Sequence, residues 1–414
     1  MPAPFKTAIT SCIWLAALFL CHAAMAYEDT PKVNLADVVP PELSHSIKHR
    51  VTEVEVRRGS YQFTVESDFG IYHIATLGML RERVRELLIL ANIISQYTAP
   101  EGGQISPKRG QLQIRSDRAL DILSRPVDTA GNLAGQLADN LGATLLGPEP
   151  EAARDYIYSG GESADPVTAL HKRNIASQWQ LDVYSTNPKV QELLNTLAQA
   201  RSGGSISAGT PILNRMPVKP LRIADATLDT LVAAQLKSSG PAVLQANNER
   251  LLAGLHIDPE IGRAFLQQPV LSPGHKTRII NYLNQLAGVG NLQIFFSAAN
   301  GSKDEIDALA FEHLAMMLTY CHHNGHRLRE LISLRTGGRP HMAAISEDGQ
   351  LLYLVMQDLL YWNENTARRY AAIPAQAGQA GIKSWRLITS GTLTGEARTQ
   401  LRERGFEIEE QYLF

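Results

Sequence analysis

Between Val51 and Tyr97 the spacing of apolar residues changes once, from every second residue to about every 3.6. No other feature limits the possible folds as tightly. VTEVEV, the turn RRGS and YQFTVES alternate apolar with polar, and SDFG leads into IYHIAT. The pattern predicts three antiparallel strands, with Thr52, Val54 and Val56 on one face and Tyr61, Phe63 and Val65 on another. LGMLRERVRELLILANIISQY then sets Leu80, Val84, Leu87, Ala91 and Ile94 along one stripe. This reads as a long amphipathic helix, its apolar face over the meander and Arg81, Glu82, Arg85 and Glu86 toward solvent.

Pro and Gly in APEGGQISPKRGQ end that helix. Residues 118–147 are rich in Ala and Gly, with Gly131 and Gly135 at GxxxG spacing. The stretch VDTAGNLAGQLADNLGATLLG also carries Asp128, Asn132, Gln136, Asp139 and Asn140 but no Lys or Arg. That favours a helix packed within its own domain over a membrane-active segment. Residues 165–335 read as helical. Asn187 is set to cap a helix that starts at Pro188, and RSGGSISAGTP, near 201–211, reads as a flexible linker. The last eighty or so residues change again: a hairpin of HMAAIS and LLYLVM around Glu347-Asp348-Gly349, a helix in DLLYWNENTARRYAAI, then strand, helix and strand. Strand, helix, strand at that length predicts two parallel strands. The fold class expected is α+β: a meander with its helix over 27–117, a helical region over 118–335 and a small α/β unit over 336–414, whose sheet the meander could join.

The first residues read as an export signal. MPAPFK supplies a positive start, TAITSCIWLAALFLCHA an apolar stretch, and Ala24 and Ala26 the small residues before a cleavage point after Ala26. Residues 1–26 are therefore expected to be a signal peptide, with an uncleaved anchor as the alternative. A lipoprotein acylated at Cys21 is disfavoured by the bulky Leu18, Phe19 and Leu20 before it. Cys12 and Cys21 would leave with the leader, so Cys321 alone remains and no internal disulfide can form. A formal net charge of −2 argues against a dedicated nucleic-acid binder. The expected location is the periplasm, the expected partner another envelope protein, and membrane contact is expected only through the leader before cleavage.

Three stretches, FTVESDFGIYHIATLGMLRERVREL, QLDVYSTNPKVQELLNTLA and the run from SEDGQLLYLVMQDLLYWNEN to SGTLTGEARTQLRERGFEI, resemble a family of exported proteobacterial proteins with no assigned activity. The resemblance implies export and a multi-part architecture. It supplies no reaction and no residues to carry over.

Candidate chemistry is sparse. CHHNGH, residues 321–326, holds His322, His323 and His326 as candidate metal ligands, with Cys321, Glu312, His313 and nearby methionines as possible helpers. The same letters also describe an ordinary helix end: Cys321 on the apolar stripe, imidazoles in the last turn, and Asn324-Gly325 as the stop. Gly-x-Ser-x-Gly, HExxH, a P-loop and a full dinucleotide loop are absent from the sequence, and GVGNLQ reads as a helix-to-strand turn. Glu66 with Asp68, and Asp304 with Glu305 and Asp307, suit a turn and a helix start. Tyr353, Tyr361 and Trp362 near Asp358 and Glu364 suit either a sugar- or peptide-binding groove or a core rim. The sequence assigns no catalytic or cofactor-binding residue. The leading expectation is a non-catalytic binding or interaction protein, with a hydrolase assembled from distant segments, or a metal-handling protein using the Cys321–His326 cluster, as alternatives.

Overall fold

The structure is a computed structural model that describes residues 27–98, 165–203, 226–336 and 339–412. The leader, the Gly-rich stretch of 118–147 and most of the linker near 201–211 lie outside the described residues. No helix among the described residues is long and apolar enough to cross a membrane.

The fold is α+β, with an antiparallel N-terminal sheet and a mixed C-terminal one. Strands β1 (His49–Arg57), β2 (Ser60–Ser67) and β3 (Gly70–Ala75) form a three-stranded antiparallel sheet in that order. Tyr61, Phe63 and Val65 are buried on its inner face, as the alternation predicts. β1 departs from it. The register skips between Val51 and Glu53, so Val51 and Val56 are both buried although five positions apart, and Thr52 is exposed. A bulge of this kind adds one residue to one strand and inverts the facing of all that follows. The expected shared face of Thr52, Val54 and Val56 therefore fails at Thr52.

Helix α1 (Leu77–Thr98) packs over β2 and β3, with Leu80, Val84 and Leu87 fully buried. Helices α2 (Pro166–Gln178) and α3 (Pro188–Ser202) complete this first core through Ile175, Trp179, Val190 and Leu194. A second core is built by α4 (Ala226–Ser238), α5 (Pro241–Gly254), α6 (Pro259–Gln267), α7 (Pro273–Asn284), α8 (Gln293–Ala299) and α9 (Glu305–Cys321). The reading at Asn187-Pro188 recurs at three other helices. Asp165, Asn187, Asp258 and Ser272 each accept backbone N–H bonds at the start of a helix whose first residue is proline. Proline there loses no helical hydrogen bond, and the capping oxygen satisfies donors the helix leaves open.

The helical stretch ends earlier than expected. β4 (Leu328–Thr336) pairs antiparallel with β5 (Arg339–Ser346), which continues to β6 (Leu351–Val355). After the short β7 (Leu359–Leu360) come α10 (Glu364–Gln379), β8 (Trp385–Thr389), the short β9 (Thr392–Leu393), α11 (Gly395–Glu403) and β10 (Phe406–Glu409). The five-stranded sheet runs β10-β8-β6-β5-β4, with β10 and β6 both parallel to β8 as the βαβ reading requires. Its faces are divided. Leu352, Leu354 and Ile388 join the second core, while Leu351, Tyr353 and Leu387 face a third core formed with α10 and α11. A strand buried on both sides reads as an unbroken apolar run, hence LLYL.

The meander and the C-terminal sheet are separate, contrary to the joint sheet considered above. GVGNLQ yields a single bridge from Gly290 to Glu330 and then α8, with no strand between.

Candidate functional site

Four segments converge where the first and second cores meet. α1 contributes Arg83 and Glu86. The loop between α2 and α3 contributes Asp182, Ser185 and Thr186. α7 contributes His275 and Arg278, three residues apart and so on one helix face. α9 contributes Glu305, Glu312 and His313. Together they line a cleft of about 300 Å³. Its lining also carries apolar groups, among them Leu181, Val232, Leu309 and Met316, and the tyrosines Tyr184 and Tyr282.

The charges are paired with one another. The Arg83 guanidinium donates to both Glu305 oxygens, at 2.8 and 2.9 Å, to Glu86 at 2.9 Å and to the Thr186 hydroxyl. Glu86 also accepts from the Ser185 hydroxyl and, at 3.1 Å, from Asn187 Nδ2. Arg278 donates from Nη2 to Asp182 at 2.8 Å, and its Nε lies 2.8 Å from Glu312 Oε1. The other Glu312 oxygen sits 2.6 Å from His275 Nδ1. Tyr282 donates to Asp229 at 3.2 Å.

The protonation states follow from this pairing. Burial alone would raise the Glu312 carboxyl, but the Arg278 charge and the His275 hydrogen bond outweigh it and hold it down to about 2. Asp182 is likewise held below the usual carboxylate range by Arg278 despite its burial. His313, buried beside the same groups, is pushed below the ordinary imidazole value by desolvation. Burial, with Glu312 and Asp229 nearby, drives the Tyr282 phenol upward, so it stays a donor. Because Glu312 is ionised, it only accepts, and in its neutral form the His275 ring facing it carries its proton on Nδ1. His275 Nε2 then carries a lone pair, and no described residue is hydrogen-bonded to it.

Sequence reasoning missed this site. It placed Arg85 and Glu86 toward solvent, whereas both are buried, at 7% and 4% exposure. The loop after α2 covers that face of α1: the Gln180 carbonyl accepts from Arg85, while Ser185 and Asn187 reach Glu86. One signal was available. Glu312 and His313 interrupt the apolar run ALAFEHLAMML, and a charge inside such a run calls for a buried partner.

The Cys-His cluster lies elsewhere, at the end of α9. Cys321 is fully buried on the apolar stripe, and burial pushes its thiol up to about 12. The chain turns through His322–His326 with Gly325 at φ +115°. His322 Nδ1 accepts the Leu328 backbone N–H at 3.0 Å, at the start of β4. The His323 ring stands edge-on to His322, 5.2 Å between centres. His326 Nε2 faces Glu409 at 3.4 Å. Among the described residues, no group of three or more His, Cys, Asp or Glu is placed to hold a metal ion. Tyr353, Tyr361 and Trp362 are core residues, while Glu364 is exposed and paired with Arg368.

Comparison of the chain with protein-family models, with curated proteins and with solved structures found no match.

Proposed function

We propose that the protein is an exported, non-catalytic binding protein of the periplasm that holds a small polar ligand in the cleft between its first two cores. One observation carries the reading: a concave site of about 300 Å³, at the junction of two cores, where apolar side chains stand beside many charged groups fixed by their mutual pairing. Small-ligand sites have that concave form and that position, at volumes upward of roughly 300 Å³. Export is supported by the three-part leader at residues 1–26. Ala233, exposed at the rim, offers the test. Ligand-observed NMR with mixtures of sugars, amino acids and short peptides is expected to detect a binder that Ala233→Trp excludes while the fold stays intact. Finding no binder, or binders indifferent to Ala233→Trp, contradicts the proposal.

The His275–Glu312 dyad favours a second reading, a hydrolase in which His275 takes a proton from water and Glu312 orients it. No side-chain hydroxyl or thiol among the described residues is hydrogen-bonded to the imidazole, so the nucleophile would be water. Turnover of ester, amide or glycoside substrates that is abolished by His275→Phe would favour it over binding alone.

A further inference from the structure

The pairing of charges in the cleft constrains what it can receive. Six carboxylates and five Lys or Arg side chains line it. Arg83, Arg85 and Arg278 are each engaged by carboxylates of the same site, Arg173 is not free either, and Lys237 is exposed at the rim. Five of the carboxylates are held in those same pairs and the sixth, Asp229, accepts from Tyr282, so a ligand charge of either sign would lose its hydration and, away from Lys237 at the rim, have to displace an existing partner. A neutral ligand avoids that penalty. The cleft also presents one fixed acceptor. Glu312 accepts a hydrogen bond from His275 Nδ1–H, and the Arg278 guanidinium at the other Glu312 oxygen keeps that carboxylate from turning away. In its neutral form the imidazole, with Nδ1–H on Glu312, offers a lone pair at Nε2, which calls for an O–H or N–H donor on a ligand. Apolar walls beside fixed polar groups match a molecule with C–H faces and hydroxyl edges.

Resting on the binding role proposed above, we infer that the cleft takes a neutral polyhydroxylated molecule, such as a mono- or disaccharide, and that His275 Nε2 accepts one of its hydroxyl protons. Glu312 acts here as a positioning residue, because it sets which ring nitrogen is the acceptor. Glu312→Gln reverses that setting. Its amide oxygen would face Arg278 and its NH₂ would face Nδ1, which moves the ring proton to Nε2 and turns the acceptor into a donor. Arg278 keeps Asp182 as a partner in that variant.

The test is nitrogen NMR on histidine-labelled protein, titrated separately with glucose, galactose, N-acetylglucosamine and maltose, and with glucuronate and glucosamine as charged counterparts. With the ring in its neutral form, Nε2 is the unprotonated nitrogen, and its signal should move when one of the neutral sugars saturates the protein. Glu312→Gln should shift the proton to Nε2 and weaken that sugar by about tenfold, the scale of one hydrogen bond lost in a desolvated site. His275→Phe, which keeps a ring and leaves Glu312 to Arg278, should weaken it comparably and guards against a folding defect in the first variant. The charged sugars should bind at least about tenfold more weakly than their neutral parents. A charged sugar that binds as well as its parent, or a neutral sugar unaffected by both variants, overturns the inference. If either is still excluded by Ala233→Trp, the cleft remains the binding site and only the ligand class is wrong. Absence of any response from the neutral sugars also overturns the inference, and loss of all binding in the broader mixtures defeats the binding role itself.

Discussion

The first core meets its two neighbours through joints of opposite chemistry. Toward the second core the joint is ionic: Arg83 to Glu305, Arg278 to Asp182, and the nearby Arg278–Glu312 and His275–Glu312 contacts. Toward the C-terminal unit it is built of backbone. Leu359 N–H donates to the Gly59 carbonyl at 2.9 Å, and Asp358 accepts the backbone N–H of Tyr61 at 2.9 Å and of Leu77 at 3.0 Å. The two carboxylates respond in opposite directions. Burial pushes Asp358 up to about 6 against the pull of its two N–H donors, whereas Arg278 and His275 hold Glu312 at about 2. Burial raises a carboxyl wherever only dipoles answer it, and a full counter-charge reverses the shift. The ionic joint also leaves a cleft, while the backbone joint closes tightly.

Removing Arg278 should have the largest effect. Arg278→Ala strands Asp182 and Glu312, and breaking a buried pair costs about 3–5 kcal/mol. Urea unfolding should show the midpoint falling by that equivalent. A loss below about 1 kcal/mol would mean the joint is effectively solvated.

On the C-terminal side, crowding should displace the 357–358 segment that carries the backbone joint. A Cβ at Gly391 would stand 2.1 Å from the Asp358 carbonyl oxygen and 2.2 Å from that of Gln357. Both obstacles are main chain, so Gly391→Ala should destabilise by roughly 3 kcal/mol, at the upper end of overpacking costs. Gly59, at φ +84° and close to the Leu359 carbonyl, should resist Ala for the same reason.

The pH response sharpens the contrast. Asp358 binds its proton more tightly in the folded state, so its contribution falls as pH rises from about 4 through 6. At about 1.4 kcal/mol per unit the loss is roughly 2–3 kcal/mol. Glu312 does the reverse: its contribution is complete above about 4.5 and is lost as pH falls toward 2. In urea unfolding across pH, Asp358→Asn should flatten the first slope and Glu312→Gln the second. Exchange of the two effects would refute the assignment.

The smallest effect is expected on the surface of α10. Glu364 and Arg368 are 67% and 58% exposed, and Glu364→Ala should cost no more than about 0.5 kcal/mol.

How legible each joint was follows from these interactions. Periodicity located α1 by its apolar stripe, and the two strands of the βαβ unit by short apolar segments on either side of a capped helix. The bulge at Thr52 leaves a trace, Val51 standing out of step with Val54 and Val56, but the alternation of Thr52, Val54 and Val56 masks it when Thr52 is counted on the inner face. Periodicity set the end of the helical region too late because LRELISLRT carries charge within a strand. The ionic joint was hidden for a deeper reason. RERVRE on α1 reads as a solvated face unless the partners on residues 180–187 and on α9 are already in place, and those lie about a hundred or more positions away. Only the Glu312-His313 break in an apolar run marked it from within its own segment.

The most direct measurement follows the side-chain carboxyl carbons of Glu312 and Asp358 by carbon NMR between pH 2 and 8. Glu312 should stay ionised down to about pH 2, while Asp358 titrates at about 6. Two carboxyls that titrate together near 4, the ordinary carboxylate range, would show that neither joint is as described.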